Sequence, residues 1–198
     1  MSTGDDQAPS SPRAKRADAQ RNEATLLAAA ATVFASSGVN APIRQIAAEA
    51  GVGVGTIYRH FPARADLVIA VYRHQVDACA NVGPELLATS ASPIEALRRW
   101  IEHFVDFLVT KHGLADVLHG GDESFAGLHD YFLDRLVPVC GDLIDAAAAA
   151  GELTTNIAPY ELMRGIGNLC IGGDTDDRYE PQHLIELLLD GLSSSPQA

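Results

Sequence analysis

The chain has 198 residues, 47% of them hydrophobic, and a formal charge of −12 at pH 7. No run approaches the roughly 18 consecutive apolar residues that span a bilayer, and the polar N-terminus carries Asp5 and Asp6 where a secretory signal needs an apolar stretch. These features exclude a helical membrane protein and lead us to expect a cytoplasmic one. Cys79, Cys140 and Cys170 are widely spaced and form no Cys-x-x-Cys pair, which favours small buried hydrophobes over a disulfide or metal site.

The charge is uneven. Residues 13–73 hold eight Lys and Arg against four Asp and Glu, whereas residues 74–198 hold six against twenty. A basic module that faces nucleic acid, carried on an acidic body held away from it, has this signature; acidic surface that only keeps the chain soluble is a second reading of the same asymmetry.

Residues 1–17 lack apolar periodicity and read as a disordered arm. Its basic end, Arg13, Lys15 and Arg16, either touches DNA or is merely solvated. From Ala19 to Ser37, Leu26, Leu27, Ala30, Val33 and Phe34 recur at helical spacing, and Gly38 follows as a stop. A second helix begins near Pro42 and runs through Ile43, Ile46 and Ala47 to Ala50, where Gly51 ends it. After Gly51-Val52-Gly53 a third helix covers Val54 to His60, stopped by Pro62. The fourth starts near Ala63 and extends past Cys79 toward Gly83-Pro84.

Ser92-Pro93-Ile94-Glu95 combines a capping box with proline at the first helical position. It opens a helix with Ile94, Leu97, Ile101, Phe104 and Leu108 on one stripe. A short helix around Leu114 to His119 and a long one from about Phe125 to Ala150, bent at Pro138, come next. The last two run from Pro159 to Ile171 and from Pro181 to Leu192, with the polar loop 172–177 between them. No strand pattern or internal repeat emerges, so the fold class is all-α. A three-helix helix-turn-helix domain (18–66) precedes a larger helical domain (67–198).

Ile46-Ala47-Ala48-Glu49-Ala50-Gly51-Val52, then Gly55-Thr56-Ile57-Tyr58-Arg59-His60-Phe61, with Arg64 and Leu67 just after, resembles the DNA-binding domain of the TetR family of transcriptional regulators. The likeness covers roughly Arg21 to Tyr72. It implies that residues 67–198 bind a small-molecule effector and form a homodimer, and that the partner of the N-terminal domain is a double-stranded DNA operator.

The residues support that reading independently. Ile46, Val52, Ile57 and Phe61 supply a miniature core, Ala47 is small where the two helices cross, and Gly51 permits the turn. Gly53, Val54, Gly55, Thr56, Tyr58, Arg59 and His60 are left to enter a major groove. The resemblance gives Thr56, Tyr58, His60 and Arg64 phosphate contacts, which position rather than specify; Tyr58 and His60 have the alternative of packing or capping the helix end. Arg44 and Arg59 are the candidates for base readout, since a guanidinium can take guanine O6 and N7 together, although either can instead hold a phosphate. The family usually has Ser or Thr near the start of the second helix. Here Ala41-Pro42 stands, leaving Asn40 or bare backbone N–H groups to replace that cap.

In the larger domain, Trp100, His103, Phe107, Phe132 and Met163 are the candidate effector lining, with ordinary core packing as the alternative. His112, His119 and His129 have no metal-ligand spacing, and no nucleophile elbow, phosphate loop or dinucleotide fingerprint is present. No cofactor, no metal and no enzyme activity are expected. The last two helices are apolar all round, which calls either for a homodimer through a four-helix bundle or for burial within one subunit. The function implied is a repressor released from its operator by an effector. A helical small-molecule-binding protein with a vestigial DNA-binding module is the alternative.

Overall fold

The computed structural model describes residues 12–113, 125, 127–154, 156–171 and 178–193; the side chains of residues 12–17 and 109–113 are not among those described. The expected helix at 114–119 and the loop 172–177 lie outside the described residues. Eight helices are described, namely α1 (Pro12–Ser37), α2 (Ile43–Glu49), α3 (Val54–His60), α4 (Arg64–Thr89), α5 (Pro93–Gly113), α6 (Leu128–Ala149), α7 (Pro159–Leu169) and α8 (Pro181–Leu192). Among the described residues the only β-type pairing is a single bridge between Leu153 and Ser193. The fold is all-α, with an N-terminal helix-turn-helix and a larger helical domain.

Three boundaries differ from the periodicity by about three residues or more, and α7 ends at Leu169 rather than Ile171. Helix α1 begins at Pro12, so it takes in residues 12–17 that were expected in the arm; Ala, Arg and Lys there are strong helix formers, and proline suits a helix start. Helix α4 continues through Gly83-Pro84 to Thr89. Pro84 is exposed, whereas Gly83 and Leu86 on either side of it are buried, so packing on both flanks outweighs the cost of an internal proline, about 3 kcal/mol. Helix α6 starts at Leu128 rather than near Phe125, because Gly127 stands before it at φ +79°.

The capping chemistry at Ser92 is present in part. Its Oγ accepts from Glu95 N at 3.4 Å, while the neighbouring Ile94 N–H donates to Glu152 Oε2 at 2.7 Å. Glu152 lies just past α6, so a cap for α5 is delivered from the turn that follows another helix. Gly151, at φ +72°, closes α6: its N–H donates to Ala148 O, and that of Glu152 donates to Ala147 O.

Helices α4, α5 and α6 pack on one another, α1 lies against α4 and α5, α7 packs on α6, and α8 packs on α7. The buried residues of both domains form one contiguous cluster. At its centre Trp100 stacks on Phe104 (centroids 5.7 Å apart, planes at 3°), and Phe107 and Phe132 extend the stack. Trp100 Nε1 donates to Cys79 O at 2.9 Å, which satisfies the indole N–H inside the core. Helix α4 thus belongs to both parts of the molecule. Its first turn adjoins the helix-turn-helix, and its later turns floor the aromatic core.

Candidate nucleic-acid interface and ligand cleft

The helix-turn-helix is built on small and β-branched residues that hold α3 against α2. Ile46, Ala47, Ile57 and Phe61 are buried together with Phe34 of α1 and Leu67 and Val68 of α4. Just past α2 stands Gly51 at φ +65°, with Gly51 N donating to Ala48 O and Val52 N to Ala47 O. These two bonds satisfy the last carbonyls and turn the chain toward α3. A residue with a β-carbon would be strained at Gly51.

With Ile57 inward, the outward face of α3 carries Tyr58, Arg59 and His60, all exposed, and Tyr58 keeps 52% of its surface. Gly53 and Gly55 are exposed, while Thr56 and Val54 are half-buried, Val54 packing against the core rather than standing free. Arg44 is exposed on α2. The three ion pairs among the described residues include neither Arg44 nor Arg59, so both exposed guanidinium groups have no counter-charge among those residues. The structure therefore groups seven of the nine candidate DNA-contact residues along α3 and its entry turn, with Arg44 on the helix before it.

Arg64, the ninth, is engaged inside the protein. Its Nη2 donates to Ala41 O at 2.6 Å and its Nη1 donates to Val39 O, so the half-buried guanidinium ties the α1–α2 loop to the first turn of α4. Helix α2 is preceded by Pro42 with no side-chain cap, and the exposed Asn40 does not fill that role. Asn40 lies two residues before the cap position, which is out of reach of the geometry a capping side chain needs. At the start of α4, Ala63 N donates to Asp66 Oδ2 at 2.9 Å.

The candidate effector residues separate. Trp100 and Phe107 are interior core, and His103 is exposed on the outer face of α5. The helical period puts His103 three residues from Trp100, but the buried stripe of α5 runs through Ala96, Leu97, Trp100, Ile101, Phe104, Phe107 and Leu108, and His103 falls beside it. Phe132 and Met163 do line one cleft of about 290 Å³ between α5, α6 and α7, where Phe104 adds to the floor. Its rim carries His129, Arg164 and Asn168. Sequence reasoning missed Phe104 as lining and Arg164 altogether. The i, i+4 relation of Arg164 to Asn168, one step around α7 from Met163, was the available signal.

A polar clamp joins α4 to α6. Asp77 Oδ1 accepts from Tyr131 Oη at 2.8 Å and from Arg135 Nε at 2.9 Å, and the Arg73 guanidinium lies 5.3 Å over the Tyr131 ring. Burial, followed by the bond to Asp77, pushes the Tyr131 phenol up. All three cysteines are buried thiols; burial pushes Cys79 and Cys140 up to about 12. Among the described residues no cluster of His, Cys, Asp and Glu is placed to hold a metal ion, and no helix is long and apolar enough to cross a membrane.

The family model described as bacterial regulatory proteins, tetR family, matches residues 26–71. A second, described as transcriptional regulator SbtR-like, C-terminal domain, matches residues 92–194. A TetR transcriptional regulator from Streptomyces coelicolor is 36% identical, with a TM-score of 0.75, over 87% of this chain and 99% of that one. The TetR transcription regulatory protein from Mycobacterium vanbaalenii is 32% identical, with a TM-score of 0.68, over 91% and 99%. An HTH-type transcriptional regulator of Staphylococcus aureus (strain USA300) is 26% identical over 65% of this chain and 70% of its own length.

Proposed function

Because the chain belongs to the TetR family of bacterial regulatory proteins, we propose that this regulator is a homodimeric repressor that an effector releases from a double-stranded operator in the cytoplasm. The observation that carries the reading is the solvent-facing set Arg44, Tyr58, Arg59 and His60, mounted on a fully packed frame. Arg44 and Arg59 read base edges, Thr56, Tyr58 and His60 position the helix on phosphates, and the small Gly53 and Gly55 let the backbone approach the groove. Arg64 serves the interface chiefly from behind, by holding the loop that leads into α2, with its remaining N–H groups directed to phosphate.

Dimerisation through α7 and α8 is supported by what one subunit leaves uncovered. Leu184 and Leu187 are exposed on α8, and a β-carbon added at Gly165, outside the cleft lining, would meet nothing within 4 Å, which leaves room for a partner helix. Two recognition helices then face two half-sites of a palindrome.

Release follows the connectivity of the helices. Effector in the cleft bears on Phe132 and His129 of α6, and the same stretch of α6 grips Asp77 of α4 through Tyr131 and Arg135. Helix α4 in turn holds the α2 entry through Arg64. Displacing α6 therefore moves α3 of each subunit away from its half-site spacing, and a differential affinity of a few kcal/mol suffices. The test is fluorescence anisotropy on a palindromic operator obtained by in vitro selection, with sedimentation in parallel. Two chains bound per operator, with affinity falling steeply with salt, support the reading; sequence-independent binding by a monomer overturns it.

A further inference from the structure

We propose that the cleft between α5, α6 and α7 takes an amphipathic anion, an apolar body bearing a carboxylate, an assignment that rests on the effector reading above and gives its ligand a charge. The floor, Phe104, Phe132 and Met163, is buried and offers aromatic faces and a polarizable thioether to an apolar body. The rim presents Arg164, His129 and Asn168, and among the described residues no carboxylate lines this cleft. The sequence of this domain as a whole is acidic, with twenty acidic residues against six basic ones between positions 74 and 198.

The neighbouring groove between α5 and α8 shows the contrast, being lined by Glu95, Glu102, Asp106, Glu186 and Asp190, with its one guanidinium among the described residues, Arg98, already paired to Asp190. An anion is repelled there and met by a guanidinium in the α5–α6–α7 cleft. Arg164 is exposed on α7 and enters none of the ion pairs among the described residues, and its planar fork of donors matches a carboxylate. His129 stacks on Phe132 with centroids 6.0 Å apart and planes at 18°, which fixes a ring nitrogen at the rim above the apolar floor. A volume of about 290 Å³ suits a compact ligand.

The experiment is calorimetric titration of the full-length protein with two anions of different shape, 2-naphthoate and decanoate, each against its uncharged alcohol and its ammonium counterpart. At least one anion is expected to bind ten-fold or more tightly than its alcohol. Arg164→Gln is expected to abolish that preference and Arg164→Lys to keep most of it. Equal or tighter binding of the alcohol or ammonium compounds, no binding by either anion, or an undiminished preference in Arg164→Gln overturns the assignment.

Operator anisotropy in the same titrations separates the two claims. Charge-selective binding that leaves operator affinity unchanged keeps the anion site and removes the release reading. Release by an ammonium compound does the reverse.

Discussion

Arg64 donates through Nη2 to the carbonyl oxygen of Ala41 at 2.6 Å, closing a contact across 23 residues that sets the α1–α2 loop against the start of α4. A second donation, from Nη1 to Val39 O, fixes the plane of the guanidinium. Charged hydrogen bonds to backbone are worth about 1.5–3 kcal/mol where solvent is partly excluded. Arg64→Ala is therefore expected to lower stability by about 1–3 kcal/mol in denaturant melts as well as weakening operator binding. Arg64→Lys should recover only part of the loss, since an ammonium lacks the planar fork. A residue that only touched phosphate would leave the melt unchanged and reduce the salt dependence alone.

Gly83 marks the crossing of α4 with α6. A methyl group there would collide with Val139 Cγ1 and touch the Trp100 ring. Gly83→Ala raises helix propensity by nearly 1 kcal/mol yet overpacks the crossing, a cost of about 1–3 kcal/mol. Net destabilisation, with a red shift in the emission of Trp100, is the expected outcome in thermal and fluorescence melts. A stabilised variant would mean that the helices separate freely.

Cys79 and Cys140 are pushed up to about 12 by burial, with Asp106 adding to the first and Cys79 to the second. A thiol whose pKa is higher in the folded than in the unfolded chain contributes stability that is full below the unfolded value, about 9, and is lost as pH rises above it. Stability should fall between pH 8 and 10 by about 1 kcal/mol for each of these thiols. The slope should flatten in Cys79→Ala, and neither thiol should react with a disulfide reagent at pH 8 unless the chain is unfolded.

Asp77 carries the clamp between α4 and α6. Its pair with Arg135 is about two-fifths exposed on each side, so Asp77→Ala should cost at most about 1 kcal/mol of stability. The larger effect is expected on coupling. Operator affinity without ligand should change little, while its fall on adding a cleft-binding anion should shrink. An unaltered response would show that α6 transmits nothing through Asp77.

Much of this is legible in the amino-acid sequence, for a physical reason. The helix-turn-helix is specified locally: Gly51 at positive φ, the inward Ile46, Ile57 and Phe61, and the stop at Pro62 each act within a few residues of where they stand. The helix through Pro84 was not legible, because its support comes from α5 and α6 packed beside Gly83 and Leu86. His103 failed as a cleft residue because helical spacing brings it near Trp100 without saying which side of the buried stripe it falls on. Arg64 was readable as a cation near the DNA face. Its grip on Ala41 reaches a loop 23 residues earlier in the chain, and no local pattern encodes that.

The assignment of sequence specificity to Arg44 and Arg59, exposed and in no ion pair among the described residues, is the core of the proposed function. It is tested most directly by measuring the affinity of Arg44→Ala/Arg59→Ala for the selected operator and for a scrambled duplex at one salt concentration. Loss of one bidentate base contact costs about 1–3 kcal/mol, so operator affinity should fall by about 100-fold or more, and by much less on the scrambled duplex, collapsing the ratio between them. An operator-to-scrambled ratio equal to that of the unaltered protein would contradict the account.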